Sequence, residues 1–431
     1  MVLWIGVDDT DSLQGMCTTF LATELVRNLR TDLDIIGHPR LVRLNPNIPW
    51  KTRGNGAIAL VVGRGVDEPF VIGRIDGRVV RAYPSGKPSG DPGDLTDRLT
   101  RTVETWSELN SAGTDPGLVV LRRKPSVGLY WRAVRGIVSR QEALRYVRGL
   151  GVIRGWNSGR GIIGASAACA WRPRDRTWEV IAYRERSSWG TPRDLSAESV
   201  RRMDRAFPST FNNYDYENRR AVIAPSSPCP VFVGIRGDRP KVLPQALGML
   251  RGERPDRWLV FETNQGTDDH VSRRGTTAPR SAARFKGRVT RSPHTIFGGH
   301  VVFELDSHDV TAYEPSKQFR RIVRGLALRD EVEVIGSVRD SPRTINLEKL
   351  YVARLTPVRV KVANPVCGRC GDRMKSVGSV GSFRCPRCHK KSPRSDAVFI
   401  EIPRTLRNGW YEPPVGSRRH LSKPLKRGLL A

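Results

Sequence analysis

No apolar run in this 431-residue sequence approaches the roughly 20 residues needed to cross a bilayer, which points away from a membrane protein. The opening "MVLWIGVDDTDS" lacks the basic front and small-residue cleavage site of a secretory signal, so a cytoplasmic protein is expected. Acidic residues are in short supply: 43 Asp and Glu stand against 73 Lys and Arg, a formal charge of +30. Such an imbalance calls for a polyanionic partner, RNA or DNA, with an arginine-rich thermophile-like surface as the bland alternative. Cysteine is sparse as well. Four of the seven lie between Cys367 and Cys388, while Cys17, Cys169 and Cys229 are scattered, which suits one metal site plus lone thiols and not a disulfide framework. Nowhere does Gly-x4-Gly-Lys-Ser/Thr occur; "SGKPSG" has the wrong spacing, which excludes a P-loop nucleotide site.

What is present reads as a multidomain chain, α/β at first and α+β later. "VLWIGV" (2–7) is a buried strand, and Cys17, Phe20, Leu21, Leu25 and Leu29 recur at helical spacing. Strands are predicted at 40–45, 57–63 and 117–121, with helices at 95–109, capped by Asp94, and at 140–150. Residues 1–160 thus form an α/β domain. In 161–275, "RGIIGASAACAW", "TWEVIAYR", "PVFVGIRG" and "RWLVFETN" are strand candidates, and "SAESVRRMDRAF" and "KVLPQALGML" helical ones. Two strand–helix–strand passages suggest a split βαβ, ferredoxin-like domain. After a linker at 271–283 the period drops to two. Short strands with one helix at 316–326 make 282–357 an OB-fold β-barrel, with a small SH3-like barrel as rival. A zinc ribbon follows at 364–398. The basic tail, 399–431, is expected to be extended and ordered only on a partner.

The strongest local signal is Cys367-x2-Cys370-x14-Cys385-x2-Cys388, two knuckles that place four thiolates around one structural Zn²⁺. Arg369, Arg373, Lys375, Arg384, Arg387, Lys390 and Lys391 make the ribbon basic. At the other end, Asp8, Asp9 and Asp11 crowd the end of the first strand. Turn formation and capping would use one of them; three repel one another unless a cation relieves them. Carboxylates at a strand end suit Mg²⁺ on a nucleotide's phosphates. Gly15 allows close backbone approach, and the following helix start favours an anion near Thr18 and Thr19; helix capping is the alternative role of Thr18. Lys51 and Arg53, beside the Gly54–Asn55–Gly56 turn, are placed to pair with phosphates. "FNNYD" and "TNQGTDDH" are either ordinary turns or a polar pocket gripping a cationic substrate through Asp215, Asp268 or Asp269.

Together these stretches resemble an archaeal family, the tRNA-isoleucine 2-agmatinylcytidine synthetases. The matching runs are "GVDDTDS..GMCTT", "NPNIPWKTRGNGA", "GRGIIGA", "WGTPR", "TFNNYD", "VFVGIRG", "TNQGTD" and the paired Cys-x2-Cys knuckles, spread from the N-terminus to Cys388. The resemblance implies four parts in order: kinase-like, ferredoxin-like, OB-fold and zinc ribbon. It implies an ATP-dependent C–N ligase that joins agmatine to C2 of the wobble cytidine in the minor isoleucine tRNA with a CAU anticodon, so that it reads AUA. It further implies that Asp8, Asp9 and Asp11 bind ATP with Mg²⁺, and that Thr18 is phosphorylated. The chemistry is consistent: the amide-like C2 oxygen leaves only once phosphorylated, and a primary amine then displaces phosphate. Two other readings stand beside it: a kinase acting on RNA or a small molecule, and a non-enzymatic OB-fold and zinc-ribbon RNA-binding protein.

Overall fold

A computed structural model describes residues 2–51, 54–272, 275–341, 344–378 and 381–428. The fold is mixed α/β, in several parts. Its largest element is one sheet that runs unbroken from the first part of the chain into the second. Along its main path the strands are Thr210–Phe211, Val231–Gly237, Thr177–Tyr183, Arg257–Thr263, Arg40–Arg43, Gly56–Val66, Leu3–Asp8, Gly117–Leu121 and Gly151–Gly155. The two halves meet where Glu262 and Thr263 pair in parallel with Arg40 and Leu41.

The Leu3–Asp8 strand shows why the sheet has two covered faces. Leu3, Ile5 and Val7 point into a core with helices α1 (Thr18–Leu29) and α2 (Pro92–Trp106). Trp4 faces the other core, built with α3 (Val127–Arg135), α4 (Arg140–Val147) and α5 (Gly161–Ala170). On α1, Phe20, Leu21, Leu25, Val26 and Leu29 are fully buried, each worth about 1.5–3 kcal/mol relative to exposure. This packing locks the start of α1 directly behind the strand end that carries the aspartates.

Three sequence expectations are corrected here. "RGIIGASAACAW" is helix α5, not a strand. All but one of its ten residues are buried, so it is apolar on every side and shows no helical period. Its small residues let it lie against the sheet backbone: a Cβ on Gly6 would come 2.2 Å from the Ala165 carbonyl oxygen, and one on Gly117 2.0 Å from the Ile162 nitrogen. Helix α5 packs on the strands of the first part. Second, Asp91, not Asp94, caps α2: its Oδ1 accepts from the Gly93 N–H at 2.7 Å, with Pro92 opening the helix. Asp94 sits in the first turn. Third, the tail is not loose. Gly409–Tyr411 pairs with Ile345–Arg354, and Leu421, Ser422 and Lys423 are buried.

In the third part, Ala282–Thr295 pairs with both Val301–Leu305 and Glu331–Val338. Val301–Leu305 pairs with His308–Ala312, which joins Ile345–Arg354 in parallel, and that strand returns to Glu331–Val338. The pairings close a circuit of five strands around Phe303, Val310, Val334 and Leu350, with the short helix Phe319–Arg324 between the third strand and the fourth. A two-stranded ribbon, Val358–Ala363 with Val398–Ile402, leads to the cysteine module.

Candidate functional site

A cavity of about 360 Å³ opens where the Leu3–Asp8 strand ends and α1 begins. Asp8, Asp9 and Asp11 line it with Thr18 and Thr19 of the same stretch and with Lys51, which the sequence offers separately beside the Gly54–Asn55–Gly56 turn. Asp8 lies against α5 at Gly164, where an added Cβ would fall 1.8 Å from Asp8 Oδ2. The next residue, Asp9, has a positive φ of 60°, a conformation that aspartate tolerates better than most residues, and this turns its side chain inward. Its carboxylate is held by Arg160 at 2.9 Å, and Arg160 also reaches Asp115 at 3.2 Å and the Gly113 carbonyl at 2.8 Å.

Burial dominates the electrostatics. It pushes the Asp8 carboxyl well above the ordinary range, helped by the charges of Asp9 and Asp11. Burial likewise lifts Asp9 to about 6 against the pull of Arg160. Two buried carboxylates resisting ionisation are a site that a cation would complete.

The start of α1 is open to an anion. Cys17 holds the N-cap position and its side chain makes no cap hydrogen bond. Thr18 is therefore the first helical residue and not the cap, and its Oγ1 accepts from Thr10 Oγ1 at 3.1 Å. The capping alternative for Thr18 falls away.

A cationic wall completes the cavity. Arg43, Arg236 and Lys51 line it, and the buried Nε of Arg43 has no hydrogen-bond partner among the described residues. Asn264 fixes this strand: its Oδ1 accepts from the Arg43 N–H at 2.7 Å and its Nδ2 donates to the Arg43 carbonyl at 2.8 Å. Arg236 pairs with Glu179 at 3.0 Å, and Gln265 donates to the other oxygen of Glu179. The "TNQGTDDH" run thus braces the wall from behind.

Other sequence candidates fall outside the cavity. Gly15 sits on the aspartate loop without lining it, and its nearest neighbour for an added Cβ is the Pro228 carbonyl at 3.8 Å. Arg53 lies outside the described residues. Asp215, Asp268 and Asp269 are buried and do not face the cavity. Asp215 holds Asn218 through its N–H at 3.1 Å and its Nδ2 at 2.9 Å. Asp268 binds the buried Lys349 ammonium at 2.6 Å and accepts from the Lys423 N–H at 2.7 Å. Tyr130 donates to Asp269. Each of the three is engaged in holding the fold.

The remote cysteines do converge. The thiol sulfurs of Cys367, Cys370, Cys385 and Cys388 all lie within 4.8 Å of one another, with Cys367–Cys388 at 3.4 Å and Cys370–Cys385 at 3.3 Å. Four sulfurs bound to one Zn²⁺ at about 2.3 Å sit roughly 3.8 Å apart, so the donor set fits that ion. Backbone N–H groups of Arg369 and Cys370 bring the Cys367 thiol down to about 6, favouring the thiolate a metal needs. The seven basic residues of this module are all exposed.

Family comparisons decide between the remaining readings. The TiaS TCKD domain matches residues 4–154, the TiaS FLD domain 159–270, and the TiaS C-terminal zinc ribbon domain 364–406. TiaS of Archaeoglobus fulgidus, a 2-agmatinylcytidine synthetase for the second isoleucine tRNA, is 38% identical over 441 residues, covering 99% of this chain and 98% of that one. The same synthetase of Methanocaldococcus jannaschii is 36% identical over 442 residues, covering 99% of both. The chain belongs to the TiaS family. Among solved structures, a complex of TiaS with that isoleucine tRNA and ATP superposes with a TM-score of 0.85 at 36% identity, covering 100% of this chain and 98% of that one. A complex of TiaS with the same tRNA, AMPCPP and agmatine gives 0.83 at 34% identity over the same shares.

Among the polar residues of the cavity that sequence reasoning missed are Arg43, Arg160, Glu179, Arg236 and His420. Arg160 and Arg236 sit inside "GRGIIGA" and "VFVGIRG", runs noticed as family marks but not as sources of charge. Nothing local marks His420, which arrives from the far end of the chain.

Proposed function

We propose that the chain is an ATP-dependent ligase that joins agmatine to C2 of the wobble cytidine of the AUA-decoding isoleucine tRNA. The observation that supports this most is the cavity itself. Three crowded carboxylates face a cationic wall across the open start of α1, in a chain that matches TiaS proteins over its whole length. We read Asp8, Asp9 and Asp11 as the ligands of Mg²⁺ on ATP. That ion would neutralise phosphate charge and align the phosphoryl group. Lys51 and Arg43 supply donors for the phosphate oxygens, and the first turn of α1 adds its N–H groups. Thr18, at that turn, is the hydroxyl in reach of a transferred phosphate. Phosphorylation of the C2 oxygen then gives the amine a leaving group to displace.

The circuit of five strands is read as an OB-fold over 282–357, the first two parts as a kinase-like domain and a ferredoxin-like domain. With the exposed cations of the ribbon, the OB-fold forms the tRNA-holding surface. The tail contributes little to that surface, because Arg418, Lys423 and Arg427 are paired with Glu412, Asp175 and Asp238 inside the protein. A tRNA substrate suits a cytoplasmic protein. Labelled agmatine offered with ATP and a panel of tRNA transcripts tests the reading. Incorporation into the CAU-anticodon isoleucine tRNA, with AMP released only when tRNA and agmatine are both present, supports it. ATP consumption without amine transfer would favour a kinase, and absence of ATP binding a plain RNA-binding protein.

A further inference from the structure

The C-terminal strap delivers one side chain to the cavity. Gly266 N–H donates to the His420 carbonyl at 2.8 Å and Asp268 N–H to the Leu421 carbonyl at 2.8 Å, which fixes the backbone at the imidazole and just beyond it. The ring packs on Gly54, where an added Cβ would lie 3.3 Å from both Cδ2 and Nε2. It lines the cavity, yet neither ring nitrogen has a hydrogen-bond partner among the described residues. Among the described residues three basic groups act on it: Arg43 from the Arg40–Arg43 strand, Lys51 from the following loop and Arg236 from the Val231–Gly237 strand, while its neighbour Arg419 turns to Glu348 and Asn47. Glu179 pairs with Arg236, and its charge also acts on Arg43, as does that of Asp11.

We infer that His420 is the proton acceptor for the attacking amine, and that phosphate in the cavity switches it on. This rests on the ligase reading above. Agmatine's primary amine arrives as an ammonium and must lose a proton before its lone pair can attack. Nε2 of His420 takes that proton. The nitrogen then forms the bond to C2, and the C2–O bond breaks with its electron pair going to the leaving phosphate. The second proton of the new C–N linkage goes to that phosphate, which departs as hydrogenphosphate. Three reactants, an ammonium, a neutral imidazole and the phosphorylated base, become a secondary amine, an imidazolium and hydrogenphosphate, so charge and atoms balance.

The gating follows from the neighbours. With the cavity empty, Arg43 foremost, together with burial and the charges of Arg236 and Lys51, holds the imidazole well below its ordinary range. It is then neutral but a poor base. Phosphate oxygens seated on the same cations cancel that field and restore its proton affinity. The amine is thus deprotonated in the cavity only while phosphate, of the nucleotide or of the activated base, occupies those cations.

Single-turnover agmatine incorporation by wild type, His420→Gln and His420→Ala, followed across pH, tests this. Both variants are expected to incorporate agmatine about 100-fold more slowly and to lose the acidic limb of the pH–rate profile. Added imidazole should partly restore His420→Ala. Melting temperature and ATP affinity, measured alongside, show that the fold is kept. Incorporation by His420→Gln at the wild-type rate, or survival of its acidic limb, overturns the assignment. If wild type itself transfers no agmatine, the ligase reading has failed, and this inference falls with it.

Discussion

Gly164→Ala isolates the geometry of the aspartate site from its charge. The added methyl would lie 1.8 Å from Oδ2, 2.6 Å from Cγ and 3.1 Å from Cβ of Asp8. Ordinary contact between non-bonded heavy atoms is about 3.5–4.0 Å, so the carboxylate must retreat by about 1.5 Å or more. The fold should survive. Overpacking costs about 1–3 kcal/mol, and a helical Gly→Ala change returns about 1 kcal/mol, leaving a net loss of roughly 0–2 kcal/mol. Catalysis should not survive as well, since a misplacement of about 1 Å can cost 10²-fold. Agmatine incorporation into the isoleucine tRNA transcript, run beside a thermal melt, separates the two effects. A folded Gly164→Ala protein working at the wild-type rate would refute the claim that Asp8 must stand where α5 leaves room for it.

The remaining predictions concern metal, ribbon and strap. Burial raises Asp8 well above its ordinary 3.8, and Asp9 to about 6. A raised carboxyl favours the protonated fold, so the contribution of Asp9 to stability is full below the unfolded value and is lost as pH rises through about 6. Mg²⁺ needs the ionised form, and its stabilisation of the melting temperature should therefore grow from about pH 5 to about pH 7.5; a shift independent of pH would contradict the metal assignment. Cys385→Ser should lose zinc by metal analysis and weaken tRNA binding while sparing ATP binding. Lys349→Met leaves the buried Asp268 without its ammonium partner, a loss of about 3–5 kcal/mol, and should make the strap after Gly409 sensitive to protease where wild type is not.

The aspartate loop was legible in the sequence because its signal is local: a buried strand, three carboxylates and a helix start within 20 residues. The cysteine knuckles were legible for the same reason, since spacing alone sets the ligand geometry. Helix α5 was not. Burial on all sides removes the polar face that gives a helix its period, and a run such as "GIIGASAACA" then looks like a core strand. For Asp215, Asp268 and Asp269 the sequence shows the density but not the partners. Their density suggested a ligand pocket, but buried partners such as Asn218, Lys349 and Tyr130 come from distant or turn positions that no pattern announces. The tail misled through its charge: seven basic residues read as an extended arm, whereas Asp175, Asp238 and Glu348 on the folded body, and Glu412 of the tail itself, pair with several of them. Long-range charge pairing of this kind becomes visible only once the chain is folded.

The central claim is that the carboxylate cavity is where ATP drives tRNA modification, while other surfaces hold the tRNA. The most direct measurement sets agmatine incorporation beside tRNA affinity for Asp8→Asn, a change that keeps size and turn-forming ability and removes only the charge. The account predicts that incorporation falls by about 10²-fold or more while the Kd for tRNA stays within about threefold of wild type. Asp8→Asn turning over at the wild-type rate, or losing tRNA affinity in step with its activity, would contradict it.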